Sequence, residues 1–170
     1  MNGRLWELSV GLEERAGDKN AARGLLSRAF QECPTCGQLW AQAILLEDNA
    51  QRKGRSVDAL KRCPDDAHVV VAVALMFWAD GRTSKARQWL NKAVRMDPDL
   101  GDAWAWLYKL ETVTSPSEVA AVVERATAAD PRHGHHWQPV AKSVKNWRRP
   151  LANTIAQVAH SLPLPTVKTE

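Results

Sequence analysis

The sequence predicts an all-α fold, a right-handed α-solenoid of about five antiparallel helical hairpins, and three observations carry that prediction. Pro34, Pro64, Pro98 and Pro131 follow one another at spacings of 30, 34 and 33 residues, a period in the range of stacked hairpin arrays. Five residues before each Pro stands an Ala (Ala29, Ala59, Ala93, Ala126), and six residues after it stands Trp40, Val70, Trp104 or Trp137. First helices also repeat a Trp, Leu, Glu pattern: Trp6, Leu12 and Glu13; Trp40, Leu46 and Glu47; Trp104, Leu110 and Glu111.

Each mark has a physical reading. A Pro cannot continue a helix and tends to follow one that has ended, so the Pro positions mark turns between repeats. The Ala lies on the second helix of its hairpin, where a small side chain lets helices approach to the short end of the usual range of about 8–10 Å. The Trp lies early on the next helix and fills the space beyond. Packing is therefore assigned to Trp6, Leu12, Ala22, Ala29, Trp40, Leu46, Ala59, Ala86, Ala93, Trp104, Leu110, Ala126 and Trp137. Eight Trp against one Tyr and two Phe is unusual, and repeat packing accounts for most of them better than a ligand cage does.

Length and composition agree. The 170 residues suit five hairpins of about 34 residues, and 45% hydrophobic with 25% charged content is ordinary for a globular domain that buries a core. The expected organisation is a single repeat domain over 1–162, with repeats near 5–34, 39–64, 68–98, 102–131 and 135–162, and a flexible tail over 163–170. Arg4, Glu7 and Glu13 interrupt the N-terminal stretch before a sorting segment can form, and no stretch is long enough to span a bilayer. Three Cys, an odd number, argue against a secreted disulfide framework, so the chain reads as intracellular.

Taken in order, Leu5 to about Gly17 forms a first helix with Leu5, Leu8 and Leu12 on one face, and Asp18 caps its partner, which runs to Gln31. Repeat two is four residues short, close to one helical turn; placing the loss around Asp48 to Arg55 leaves a short second helix from Ser56 to Arg62. Repeat three carries a helix apolar all round, Val69 to Trp78, as a buried helix would be. Ser115-Pro116-Ser117-Glu118 reads as a capping box, so the next helix starts at Pro116. Repeat five keeps Trp137, places Pro150 between its two helices and ends with Leu151, Ile155, Val158 and Leu162 at helical spacing; such irregularity is expected of a terminal repeat.

Few residues suggest chemistry. Cys33 and Cys36 form a CxxC, but Cys33 and Cys63 occupy the slot before the Pro that Asp97 and Asp130 fill elsewhere, so they read as variants of one turn position. No second CxxC completes a zinc site. His133, His135 and His136 crowd one turn and read as solvated loop residues. There is no Ser, His and Asp arrangement, no Gly-rich phosphate loop and no HExxH pair. Glu13, Glu47 and Glu111 share one slot and suggest polar links within hairpins. No catalytic, cofactor-binding or metal-binding residue is assigned, no cofactor or small-molecule substrate is expected, and neither is a membrane partner.

Charge is unevenly placed. Residues 1–130 hold 17 Lys or Arg against 18 Asp or Glu, whereas 131–170 hold six against one. Lys142, Lys145, Arg148 and Arg149 surround Trp147, a usable surface for RNA backbone or an acidic protein; a capping repeat that only needs polarity for solubility would look the same.

The Trp, Leu-Glu, Ala and Pro slots resemble the half-a-tetratricopeptide (HAT) class and its TPR relatives. Leu39-Trp40, the run SVDALK at 56–61, Lys85-Ala86-Arg87, the run DLGDAW at 99–104 and Pro131-Arg132-His133-Gly134 resemble the C-terminal repeats of the pre-mRNA-processing factor 6 family. The resemblance extends to about Ala159. It implies a nuclear, non-enzymatic scaffold of the spliceosomal tri-snRNP whose partners are small nuclear ribonucleoprotein proteins; the weak RNA contact through residues 142–149 is suggested by the basic cluster and not by the resemblance. The other readings are an RNA-binding repeat module, or a HAT or TPR adaptor in RNA 3′-end processing or chaperone docking. A docking TPR would need a basic clamp inside its groove, and the positive charge here collects at the end of the array.

Overall fold

The computed structural model describes residues 3–165; part of the tail expected at 163–170 therefore lies outside the described residues. Among the described residues there are ten α-helices, one 3-10 turn and no strand, which bears out the all-α repeat fold. The helices are α1 (Gly3–Ala16), α2 (Lys19–Glu32), α3 (Gly37–Leu46), α4 (Asn49–Arg62), α5 (Ala67–Ala79), α6 (Thr83–Met96), α7 (Gly101–Thr114), α8 (Val119–Ala129), α9 (Trp137–Ala141) and α10 (Leu151–Ser161). In chain order they form five consecutive helix–turn–helix pairs. Two compact units can be distinguished, one up to Met76 and one from Phe77, the division falling inside α5.

In the first unit, α1 packs on α2, α2 on α3 and α3 on α4. Asp18 starts α2 as expected: its side-chain oxygen accepts from the Ala21 N–H at 2.9 Å, satisfying a donor that the helix itself leaves free. Trp6 and Val10 of α1, Ala22, Leu26 and Ala29 of α2, and Leu39, Ala43 and Leu46 of α3 form one core cluster. Phe30 stacks on Trp40 at 4.2 Å between ring centres.

Two expectations fail here. Leu12 was assigned to packing, with Leu5 and Leu8 on the same face, yet all three are exposed, at 59%, 56% and 46%, while Trp6 and Val10 turn inward. The counterparts of Leu5 and Leu12 in α3, Leu39 and Leu46, are covered by α2, and no described helix takes that place beside α1. The second correction concerns repeat two. Its second helix, α4, is full length at 14 residues, and the shortening falls on α3, which has 10 residues where α7 has 14. Arg52 and Arg55 explain why α4 can start so early: Arg52 donates twice to the Glu47 carbonyl and Arg55 twice to the Glu47 carboxylate, closing the shortened hairpin.

α5 is buried nearly end to end, as its apolar composition requires. In the second unit α7 is the central element, packing on α6, α8, α9 and α10. Gly101, Trp104, Leu107, Leu110 and Glu111 are among its buried residues. The capping box at Ser115 does not form. The Ser115 hydroxyl accepts from Arg87 at 3.0 Å, the backbone makes a 3-10 turn over Pro116–Glu118, and α8 begins only at Val119. In repeat five α9 is a five-residue helix followed by turns, and α10 returns across α7 and α8. Lys109 of α7 holds α10 in place by donating to the carbonyls of Ala159 and Leu162, where the free acceptors of a helix C-terminus favour a cation.

Gly101, inside the DLGDAW run, is required by packing. A Cβ there would lie 2.1 Å from the Trp137 ring, closer than any real contact. Alanine would gain up to about 1 kcal/mol of helix propensity, but the displaced indole outweighs it. Gly101→Ala is therefore expected to destabilise by about 1–3 kcal/mol, the cost of overpacking; urea unfolding checks it, and a variant as stable as the parent would contradict the contact.

Candidate functional site

The described residues show no catalytic constellation, and the site to be built is a set of turns and surfaces. The Pro-to-Trp spacing has a direct cause. The indole N–H of Trp40 donates to the carbonyl of Pro34 at 2.9 Å, that of Trp104 to Pro98 at 2.8 Å, and that of Trp137 to Pro131 at 2.9 Å. Each Trp therefore fills the hairpin contact with its ring and closes the preceding turn with its N–H, which a buried indole must satisfy somewhere. The Ala five residues before the Pro is the other half of the turn. Ala29, Ala59, Ala93 and Ala126 are fully buried, and each carbonyl accepts from the N–H of the residue before the Pro. Cys33, Cys63 and Asp97 take nearly the same backbone angles at that slot, whereas Asp130 is left-handed. Of the remaining assigned packing residues, Trp6, Ala22, Leu46, Ala86 and Leu110 are also buried.

Asp130 turns the last inter-repeat segment differently, and His133 and His136 there are tied down. The N–H groups of Arg132 and His133 donate to the Asp99 carbonyl, Gly101 N–H donates to the His133 carbonyl at 2.7 Å, and the His133 ring pairs with Asp99 at 2.8 Å. Asp102 accepts from the backbone N–H of His136 and, at 2.8 Å, of Trp137, so a carboxylate on α7 caps the start of α9. Gly134 has φ of 138°, and a Cβ there would meet the Asp102 carboxylate at 2.4 Å, so glycine is needed twice over. The turn is exposed, as expected, but it is a clasp and not a loose loop.

Burial alone would raise the Asp102 carboxyl, yet hydrogen bonds from the His136 side chain and from the backbone of His136 and Trp137 outweigh it and hold the group below the usual carboxylate range. Asp66 is lowered the same way, against burial, by its bonds to His68 and Val69. A carboxyl lowered in the folded state gives stability that is complete above its unfolded value and lost as pH falls through the folded one. The stability advantage of the parent over Asp102→Asn is therefore expected to shrink from about pH 5 downwards. A gap constant between pH 6 and pH 3 would contradict the clasp.

Of the three repeated carboxylates, Glu47 and Glu111 are buried and paired with arginines, whereas Glu13 is only half-buried. Arg87 of α6 donates to both oxygens of Glu111 of α7, at 2.6 and 2.9 Å, and also to Thr114 and Ser115. The bond to Glu111 raises the guanidinium value further, against burial. Glu47 pairs with Arg55 at 2.8 Å and stands 3.7 Å from Arg23. The expected links within hairpins are thus only part of the pattern, because Arg87 joins the second helix of one hairpin to the first of the next. The two pairs line equivalent open clefts, one with Arg23, Phe30 and Asp48, the other with Asn91, Val122 and Arg125.

The basic cluster is set by one buried residue. Between α9 and α10, Asn146 is buried and donates to the Val140 carbonyl at 3.0 Å and to Gln157 of α10 at 2.7 Å. Its neighbours consequently face outward: Lys142, Lys145, Arg148 and Arg149 are exposed, and Trp147 is 68% exposed with the Arg148 guanidinium 4.4 Å from its ring centre. Burial, then Asp66 and Cys36, push the Cys63 thiol up, away from the thiolate that metal or redox work requires. Among the described residues no group of three or more His, Cys, Asp or Glu could hold a metal ion, and no helix is long and apolar enough to cross a membrane.

These features define a helical-hairpin repeat protein. Over most of its length the chain is similar to pre-mRNA splicing factors: it is 41% identical to pre-mRNA-splicing factor prp1 of Schizosaccharomyces pombe over 149 residues, 87% of this chain, and 46% identical to human pre-mRNA-processing factor 6 over 110 residues, 64% of this chain. Protein STABILIZED1 of Arabidopsis thaliana is 41% identical over 113 residues, 66% of this chain. The resemblance carried by the SVDALK and DLGDAW runs is borne out. The chain spans only 16%, 12% and 11% of these relatives' lengths. No protein-family profile matches it. Among solved structures, Pseudomonas aeruginosa PilF aligns over 92% of this chain and 88% of its own at 10% identity and a TM-score of 0.33, too low to add to the fold described above.

Proposed function

We propose that the chain acts in pre-mRNA splicing as a non-enzymatic scaffold, part of or derived from a factor that bridges the particles of the tri-snRNP, working in the nucleus on protein partners of the small nuclear ribonucleoproteins. The observation that supports this reading is the identity of 41–46% with proteins named for splicing, over as much as 87% of the chain. The architecture suits the role. Within each unit an Arg–Glu pair lines an open cleft between helices, the kind of surface that hairpin-repeat proteins offer to partners.

The test is a pull-down of the tagged chain from nuclear extract, with and without RNase, read by mass spectrometry. Recovery of tri-snRNP proteins that survives RNase is the expected result. Absence of splicing proteins from both samples would contradict the proposal.

A further inference from the structure

We infer that the turn over residues 142–149 is a binding site for single-stranded nucleic acid, with Trp147 as a stacking platform and Lys142, Lys145, Arg148 and Arg149 as phosphate contacts. This goes beyond the scaffold reading and does not depend on it.

The first observation is the charge environment. Residues 131–165 contain no Asp or Glu. In the repeats before it, some arginines stand against carboxylates, Arg23 and Arg55 with Glu47 and Arg87 with Glu111. None of the four cations beside Trp147 has a carboxylate partner among the described residues. A concentration of unopposed cations releases counterions when it neutralises phosphates, which is the main source of affinity for a nucleic-acid strand.

The second observation is the aromatic. Trp6, Trp40, Trp78, Trp104, Trp106 and Trp137 are buried and Trp89 is half-buried, whereas Trp147 is held outward by the anchored Asn146. Arg148 lies over the Trp147 ring at 4.4 Å and helps to orient it. An exposed ring among cations is the combination that single-strand binders use, with bases stacking on the aromatic and the backbone tracking the charges.

Composition separates this site from a protein-docking surface. Protein interfaces have an apolar centre from which Lys is depleted. Here the exposed large apolar residues of the turn are only Val144 and Trp147, set among four cations. Nucleic-acid interfaces are markedly more positive than protein ones, and this turn matches them.

The experiment is fluorescence anisotropy of labelled 12-nucleotide oligo(U) and oligo(dT) against the full chain between 50 and 300 mM salt, with a labelled 12-residue poly-glutamate peptide as the competing class. Binding of the oligonucleotides is expected to weaken with salt along a log–log slope of about −2 to −3, the value for about three to four phosphates on a single strand. Trp147→Ala is expected to weaken binding at least about fivefold with little change in slope, and Trp147→Phe to restore part of it. The K142E/K145E/R148E/R149E variant is expected to lose binding. All these positions are exposed, so each variant should keep the parent's unfolding midpoint. No binding at 50 mM salt, indifference to Trp147→Ala, or poly-glutamate binding as tightly as the oligonucleotides would overturn the inference.

Discussion

Replacing Trp104 with alanine is expected to cost about 3–5 kcal/mol of stability, as for other large buried aromatic deletions. Trp104 is 3% exposed, lies on the central helix α7, and has Arg125 of α8 over its ring at 5.4 Å. Removing it opens a cavity and strands the Pro98 carbonyl that its indole N–H had satisfied at 2.8 Å. Trp104→Phe separates the two effects, since it keeps most of the ring and loses the donor; about 1–2 kcal/mol is expected for the lost bond and unsatisfied acceptor. The same pair of substitutions at Trp147 should leave stability within about 0.5 kcal/mol, because that ring is in water. Urea unfolding followed by circular dichroism gives all four numbers. An unchanged midpoint for Trp104→Ala would remove the packing role of the slot.

The second large effect is at the Arg87–Glu111 pair. Glu111 is 2% exposed, so Arg87→Ala leaves a carboxylate in the interior with its main partner gone. Breaking a fully buried pair costs about 3–5 kcal/mol. Here the Arg87 side chain is about one-third exposed and water can partly replace it, so the expected loss is about 2–3 kcal/mol. Arg87→Met combined with Glu111→Leu should recover much of that loss, because two apolar residues of similar size do not leave a charge behind. If the double variant is no more stable than Arg87→Ala, the cost lies in something other than the orphaned charge.

The repeat could be read from spacing because its determinants are local. A Pro, an Ala five residues before it and a Trp six residues after it all act on one turn, so the ruler found the helices and most buried slots. What spacing could not show was which side of α1 would be covered. Leu5, Leu8 and Leu12 match inward-facing residues elsewhere, but burial depends on a neighbouring helix and not on the pattern. Similarly, the Ser115 capping box was sound by local rules, and a hydrogen bond from Arg87, 28 residues away, took its hydroxyl. The glycine of DLGDAW gave no reason for itself until Trp137 was seen against it. The basic turn was legible as charge, whereas the outward presentation of Trp147 rests on Asn146 and Gln157, a long-range bond without a sequence motif.

The central structural claim is that one indole–carbonyl bond closes the turns at Pro34, Pro98 and Pro131 and fixes the repeat register there. Hydrogen exchange of the Trp indole protons, followed by two-dimensional NMR of the 15N-labelled chain, tests it most directly. The indole protons of Trp40, Trp104 and Trp137 are expected to exchange slowly, as buried hydrogen-bonded donors do, while that of Trp147 exchanges within the dead time. Exchange of all four at the same fast rate would contradict the claim.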